Sequence, residues 1–266
     1  ISIYYDPMIA KLVTHAPNRL AALDAQARAL DGFLIDGLQH NVGFLGAMMQ
    51  EPDFRSGDFT TAFIKQHFPD GFKGATPTPE DTELLIAAAA FAHAFSAHRA
   101  RRISGRMADV QNGAAYEWVV SLGETHAPTR VTLTEEGALV AIDKGAAKPL
   151  AADWRPGQPL MRGSYAGAPF ALKIKPTGEG FTLQRRGVSA RALVASPRGA
   201  ELHRRLPEKQ PADTSKLIVS PMPGLVVTIE TAVGREVKTG EGVAIVEAMK
   251  MQNIIRAGAT GKVKAI

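Results

Sequence analysis

The run Glu247-Ala248-Met249-Lys250-Met251 sets one amine between two methionines in an otherwise apolar neighbourhood. An exposed lysine titrates near about 10.4, so at neutral pH it is almost wholly ammonium and neither a base nor a nucleophile. The chemistry open to it is attachment. A separate enzyme presenting an activated acyl group would join that group to the amine as an uncharged amide, and the chain would then supply position rather than reactivity. No catalytic acid–base or nucleophile constellation stands out elsewhere, so no catalytic residue is expected in this chain. His15, His40 and His67 are not spaced as a metal cluster, and no metal site is expected.

Two strands are needed to hold such an amine at a tip. Gly-Val-Ala-Ile-Val-Glu at 242–247 and Gln-Asn-Ile-Ile-Arg at 252–256 are β-branched, apolar runs, which predicts a hairpin with Met249 and Lys250 at the bend. The bend lacks the Asn-Gly or Gly-Gly that tight hairpins favour, which suggests that function chose its residues. Upstream, Ser-Pro-Met-Pro-Gly at 220–224 opens a segment echoed later. Gly-Leu-Val-Val-Thr-Ile at 224–229 and Gly-Lys-Val-Lys-Ala-Ile at 261–266 share Gly, Val and Ile at the same offsets, as two copies of one strand unit would.

Ala-Met-Lys-Met preceded by Pro-Met-Pro-Gly resembles the biotin carboxyl carrier domain of biotin-dependent acyl-CoA carboxylases. The resemblance implies a flattened β-barrel with quasi-twofold symmetry and biotin joined covalently to Lys250 by a biotin protein ligase. Ala248, Met249 and Met251 would flank the attached group, the methionines either as apolar rests or as core fillers. A lipoyl domain shares the fold, but its lysine usually sits in an Asp-Lys-Ala setting.

The rest of the chain falls into sections. Asp6-Pro7 predicts a helix start after an opening strand, and Leu20, Leu23, Ala27 and Leu30 predict one face of a helix. Further helices are expected over 42–49 and, capped by Asp58, over 59–67. Tyr-Tyr-Asp-Pro-Met-Ile-Ala-Lys-Leu at 4–12, Asp-Gly-Leu-Gln-His-Asn at 36–41 and Phe-Arg-Ser-Gly-Asp at 54–58 resemble the end of the biotin carboxylase domain of the same family. That implies an α/β remnant, residues 1–72, of an ATP-grasp domain that uses ATP, bicarbonate and Mg. Tyr5, Asp6 and Lys11 either border that active site or serve the strand and helix start.

A turn-rich stretch at 69–79 opens the next section, 73–205. Thr78 and Pro79 suit a helix start, and Leu-Leu-Ile-Ala-Ala-Ala-Ala-Phe-Ala-His-Ala-Phe at 84–95 is apolar almost all round, so protein must enclose it. It falls short of the about 20 apolar residues a bilayer needs, and no membrane span is expected. From 116 to 196 the period shifts to that of strands, at 116–120, 130–133, 138–142, 170–174, 181–184 and 191–194. An antiparallel barrel around a central helix is therefore expected. The resemblance makes it the linking domain that docks a carboxyltransferase beta subunit; the segment 103–112, long for a loop and carrying Met107 and Val110, is either the docking candidate or an ordinary surface loop. The arginines 185, 186, 191, 198, 204 and 205 are read as a solvated strand face, with attraction of a partner or of a CoA phosphate as the alternative. A proline-rich, polar linker at 206–216 leads to the carrier domain at 217–266.

Composition bounds this reading. The absence of cysteine excludes disulfides and thiolate chemistry. The net charge of +5 without an aromatic–basic motif, at 6% aromatic residues, gives no stacking platform for nucleic acid. Ile-Ser-Ile-Tyr-Tyr at 1–5 reads as mid-strand, and the second repeat stops at Ile266, so a piece of a longer polypeptide is expected, lacking at least one barrel strand. The fold class is thus multidomain α+β. Within the family, the wording at 69–74 and 247–253 is most similar to members that carboxylate propionyl-CoA, with methylcrotonyl-CoA and acetyl-CoA next. The acyl-CoA would bind the partner subunit, in a hetero-oligomer of several alpha and beta subunits, in a bacterial cytoplasm or a mitochondrial matrix.

Overall fold

The computed structural model describes residues 8–102, 115–207, 217–220, 224–248 and 251–266. It divides into two compact units, one ending at Leu206 and one running from Pro207 to Ile266.

The first unit opens on five helices: α1 (Arg19–Gly32), α2 (Val42–Met48), α3 (Pro52–Ser56), α4 (Phe63–His67) and α5 (Pro79–Arg101). The Asn18 side chain caps α1 by accepting from the Ala21 amide, and Leu23, Ala27 and Leu30 bury its inner face. Leu20 lies on the outside, 52% exposed. The helix start expected at Asp6-Pro7 falls outside the described residues, and residues 8–16 carry no helix. Asp58 is not a cap either. Helix α4 begins only at Phe63, because Pro52 starts the separate short helix α3 that ends at the left-handed Gly57.

Eight antiparallel strands follow: β1 (Ala115–Leu122), β2 (Thr125–Leu133), β3 (Ala138–Ile142), β4 (Lys148–Asp153), β5 (Leu160–Tyr165), β6 (Ala168–Thr177), β7 (Gly180–Arg185) and β8 (Val188–Ala195). Each pairs with the next, and β1 pairs with β8, closing a barrel. Burial alternates along the strands as a one-sided sheet requires, with Val120, Val131, Val140, Leu150, Met161, Leu172, Ile174 and Leu183 fully buried. Helix α5 contacts β1, β2, β3, β4, β7 and β8, and its Leu85 and Ala87 to Ala90 share one core with those side chains. Thr78 caps α5 by accepting from the Asp81 amide at 3.1 Å, with Pro79 in the first turn. A short helix α6 (Pro197–His203) closes the unit. Strands β4 and β5 are additions to the six expected.

The second unit holds β9 (Leu225–Ile229), β10 (Glu236–Val237), β11 (Gly242–Ala248), β12 (Met251–Arg256) and β13 (Gly261–Lys262). They form a three-stranded sheet, β12-β11-β9, and a two-stranded one, β10-β13, over a core of Val237, Val243, Val246, Ile255 and Ala257. The second sequence copy is strand only over Gly261–Lys262, whereas the first is strand throughout Leu225–Ile229.

Candidate functional site

Strands β11 and β12 are paired from Gly242↔Arg256 to Ala248↔Met251. Two residues, Met249 and Lys250, connect them, and both lie outside the described residues. The hairpin turns Val243, Val246 and Ile255 into the core, with a register irregularity between Gly242 and Ala244. Ala244 and Val246 share a face with Ile255, and Met251 is the next-but-one residue on that face beyond Asn253. There the core has run out, and Met251 is half exposed. The Ala248↔Met251 pair is the last of the ladder before the connection.

The base of the hairpin is held by several hydrogen bonds. The Ala257 amide donates to the Glu241 carbonyl at 2.8 Å, the Gly240 amide to the Ala257 carbonyl at 2.7 Å, and the Arg256 guanidinium to the Gly240 carbonyl at 2.9 Å. Arg235 pairs with the Glu241 carboxylate at 2.8 Å.

The two sequence motifs meet in space. Leu225 pairs with Glu247, and a methyl placed at Gly224 would lie 2.5 Å from the Glu247 carbonyl oxygen and 2.6 Å from the Val246 side chain. Only glycine permits that approach, so the last residue of Pro-Met-Pro-Gly is set against the strand that leads into Met249-Lys250. Pro221, Met222 and Pro223 lie outside the described residues. Strand β9 is an edge of its sheet, and Leu225, Val226, Val227 and Ile229 are exposed along it.

The other sequence candidates are placed as follows. Tyr5, Asp6, Met107 and Val110 lie outside the described residues, and Lys11 is exposed. Ala248 ends β11. Among the described residues no group of three or more metal-ligating side chains forms, and no helix is long and apolar enough to cross a membrane.

Two charged clusters were not foreseen. Arg185 is not on a solvated face. Its guanidinium is nine-tenths buried between Asp81, to which it is hydrogen-bonded, and Asp31 at 4.0 Å. Burial pushes the Asp31 carboxyl up from the usual carboxylate range, against the pull of the Arg186 amide and of Arg185, Arg186 and Lys173. In the second cluster the Glu83 carboxylate accepts from Lys148 at 2.6 Å and Tyr165 at 2.7 Å, which holds Glu83 low. Burial, aided by that bond, pushes the Tyr165 phenol up. Both clusters line a cavity of about 700 Å³ between α1 and the barrel.

Comparison with known proteins assigns the sections. Residues 1–66 match the biotin carboxylase C-terminal domain, 85–209 the propionyl-coenzyme A carboxylase BT domain, and 216–266 the family described as biotin-requiring enzyme. Over its whole length the chain is 44% identical to the propionyl-CoA carboxylase alpha chain of Ruegeria pomeroyi and 32% identical to the mitochondrial one of Homo sapiens. The chain is similar over its whole length to the propionyl-CoA carboxylase alpha chains. It corresponds to their C-terminal region, covering 39% of the bacterial relative and 37% of the human one. A methylcrotonoyl-CoA carboxylase subunit alpha from Dictyostelium discoideum is more distant, at 26% identity. These relatives include a bacterial and several mitochondrial proteins.

Proposed function

We propose that Lys250 carries biotin through an amide, and that the whole polypeptide is the biotin-carrying alpha subunit of an acyl-CoA carboxylase acting on propionyl-CoA. The observation that carries this is the convergence at one hairpin. A two-residue Met-Lys connection follows the Ala248↔Met251 pair, with Gly224 packed against the incoming strand, in the section matched to biotin-requiring enzymes.

The arrangement fits a tethered group. The hairpin base is hydrogen-bonded, and Met251 offers a half-exposed apolar flank at which biotin or a partner can rest. Biotin, when attached, supplies the ring nitrogen that accepts a carboxyl group. This chain supplies the amine and the strands that present it. The section before residue 72 belongs to a biotin carboxylase part that would use ATP, bicarbonate and Mg, and the acyl-CoA would be bound by a carboxyltransferase beta subunit in a hetero-oligomer.

We divide the chain at 1–72, 73–205, 206–216 and 217–266, in keeping with the three matched sections. Helix α5 is read as the axis of the barrel. Its fully buried alanines and its contacts with six of the eight strands support this. The carrier section is read as a flattened barrel. Met107 and Val110 remain the candidates for beta-subunit docking. A biotin protein ligase is the implied modifying enzyme, and the compartment is a bacterial cytoplasm or mitochondrial matrix.

The test is the intact mass of the full-length protein expressed with a biotin ligase. A biotinyl increment that disappears in Lys250→Arg is expected. An unmodified wild type, or an increment retained in Lys250→Arg, overturns the assignment, and lipoate in place of avidin reactivity would make it a lipoyl carrier.

A further inference from the structure

The hairpin joining β7 and β8 turns in two residues, Arg186 and Gly187, with φ of 47° and 83°, the left-handed pair of a type I′ turn. This turn is not a free surface loop. One backbone amide and one carbonyl of the turn are met by elements outside the barrel wall. The Arg186 amide donates to the Asp31 carboxylate of α1 at 2.8 Å, and the Gly187 carbonyl accepts from Ala75, in the segment joining α4 to α5, at 3.0 Å. Arg185, just before the turn, is hydrogen-bonded to Asp81 of α5 and lies 4.0 Å from Asp31.

The steric fit is equally close. A methyl at Gly187 would lie 2.7 Å from the Ala47 methyl and 2.8 Å from the Gly43 carbonyl, and one at Gly46 would lie 3.1 Å from the Gly187 nitrogen. The small residues Gly43, Gly46 and Ala47 of α2 thus form a socket. The same face is tied again where Lys173 of β6 donates to the Leu30 carbonyl of α1 at 3.0 Å.

We propose that the β7–β8 turn is a plug that locks the barrel to the biotin-carboxylase section as one rigid body, so that the barrel orients that section in the assembled enzyme. The turn-rich stretch at 69–79, which the sequence offers as a domain boundary, is then pinned through Ala75 rather than serving as a hinge. Arg185, Arg186 and Gly187 are positioning residues and touch no substrate. The functional half of this inference rests on the reading given under Proposed function. The structural half does not.

The test pairs two substitutions of equal backbone strain. Gly187→Val drives a branched side chain into the socket, whereas Gly167→Val sits at the other left-handed turn, φ 82°, with nothing within 4 Å. Both are placed in the full-length alpha chain assembled with its beta subunit. Amide hydrogen exchange is followed at Ala75 and Arg186. Slow exchange in the wild type, accelerated in Gly187→Val and unchanged in Gly167→Val, is expected.

In the same preparations, carboxylation of free biotin should remain near wild type, while overall acyl-CoA carboxylation falls about tenfold or more, since small misplacements of reacting partners are costly. Ala75 and Arg186 amides that exchange in the wild type as fast as the Gly167 turn would overturn the plug. Equal overall rates in Gly187→Val and Gly167→Val, with exchange accelerated, would overturn its positioning role. If Gly187→Val does not fold, Gly46→Ala decides alone by the same two readouts, with a smaller effect in the same direction. A wild type that lacks biotin or carboxylase activity removes the reading of function and leaves the exchange result standing.

Discussion

Replacing Ala89 by leucine tests whether α5 is the barrel's axis. An eight-stranded barrel has an interior just wide enough for side chains to fill, whereas a helix with ordinary side chains is about 10–12 Å across. A helix on the axis must therefore be stripped to small residues where the strands come closest, and Ala87, Ala88, Ala89 and Ala90 are all completely buried. Leucine at 89 adds three carbons with no void described to receive them. Overpacking of this kind costs about 1–3 kcal/mol, or more when the surroundings cannot shift. For a unit of this size each kcal/mol lowers the melting temperature by about 2–4 °C, so a drop of roughly 2–12 °C is expected in a thermal melt followed by circular dichroism. Ala100→Leu, on the exposed last turn of the same helix, carries the same change in helix propensity and should stay within about 0.5 kcal/mol of wild type. If the two variants melt together, α5 has room beside it and does not fill a barrel.

Three further outcomes follow from the same geometry. Because burial raises the Asp31 carboxyl, the folded protein holds that proton more tightly than the unfolded chain, and the carboxylate's cost to stability grows as pH rises from the ordinary range through the raised value. Asp31→Asn keeps an oxygen for the Arg186 amide and leaves Asp81 to Arg185, so it should melt higher than wild type at pH 8, with the advantage gone by about pH 4; an equal difference at both pH values contradicts this. Tyr165, raised by burial and its bond to Glu83, stabilises the fold below the ordinary phenol range and loses that contribution as pH climbs through its folded value. Tyr165→Phe should cost about 1 kcal/mol at pH 8 and flatten the alkaline limb of the stability profile, which urea titration would measure. Gly224→Ala sets a methyl against the Glu247 carbonyl and should weaken β9–β11 pairing by about 1–3 kcal/mol. Avidin detection of Lys250 modification would fall while the melt of the barrel unit is unchanged, and full modification would show that the Gly224 contact does not shape the site.

What could be read from the sequence was whatever local chemistry decides. Asn18 and Thr78 announce their helices because a capping oxygen and the amide it satisfies are three residues apart. The strands with β-branched and aromatic residues announce themselves by alternation. Strand β4, Lys-Pro-Leu-Ala-Ala-Asp, and β5, Leu-Met-Arg-Gly-Ser-Tyr, do not, because alanine, proline and glycine carry little strand preference and their pairing is dictated by neighbours on either side. Gly163 in β5 shows the cause. A methyl there would lie 2.0 Å from the Ala151 carbonyl oxygen, so close strand contact demands the residue that weakens the signal. The meeting of Gly224 with the Lys250 hairpin was legible only as a recurrence of motifs, since nothing local says that residues 224 and 247 touch.

The arginine doublet at 185–186 shows why the remaining part was hidden. On sequence alone the arginines from 185 onward read as a solvated strand face. Here the partners that meet the doublet, Asp31 and Asp81, lie 155 residues from Arg186 and 104 residues from Arg185, and no periodicity connects positions so far apart. Removing Arg185 would leave the buried Asp81 carboxylate without its guanidinium partner, a situation worth about 3–5 kcal/mol, whereas an apolar replacement of the whole cluster could be neutral. A charge cluster that adds little net stability when intact yet is costly to break suits a joint whose task is orientation. It fixes one way for the turn to enter its socket, because Arg185 must reach Asp81 and Asp31 while the Arg186 amide reaches Asp31. An apolar seam of Gly43, Gly46 and Ala47 alone would tolerate sliding.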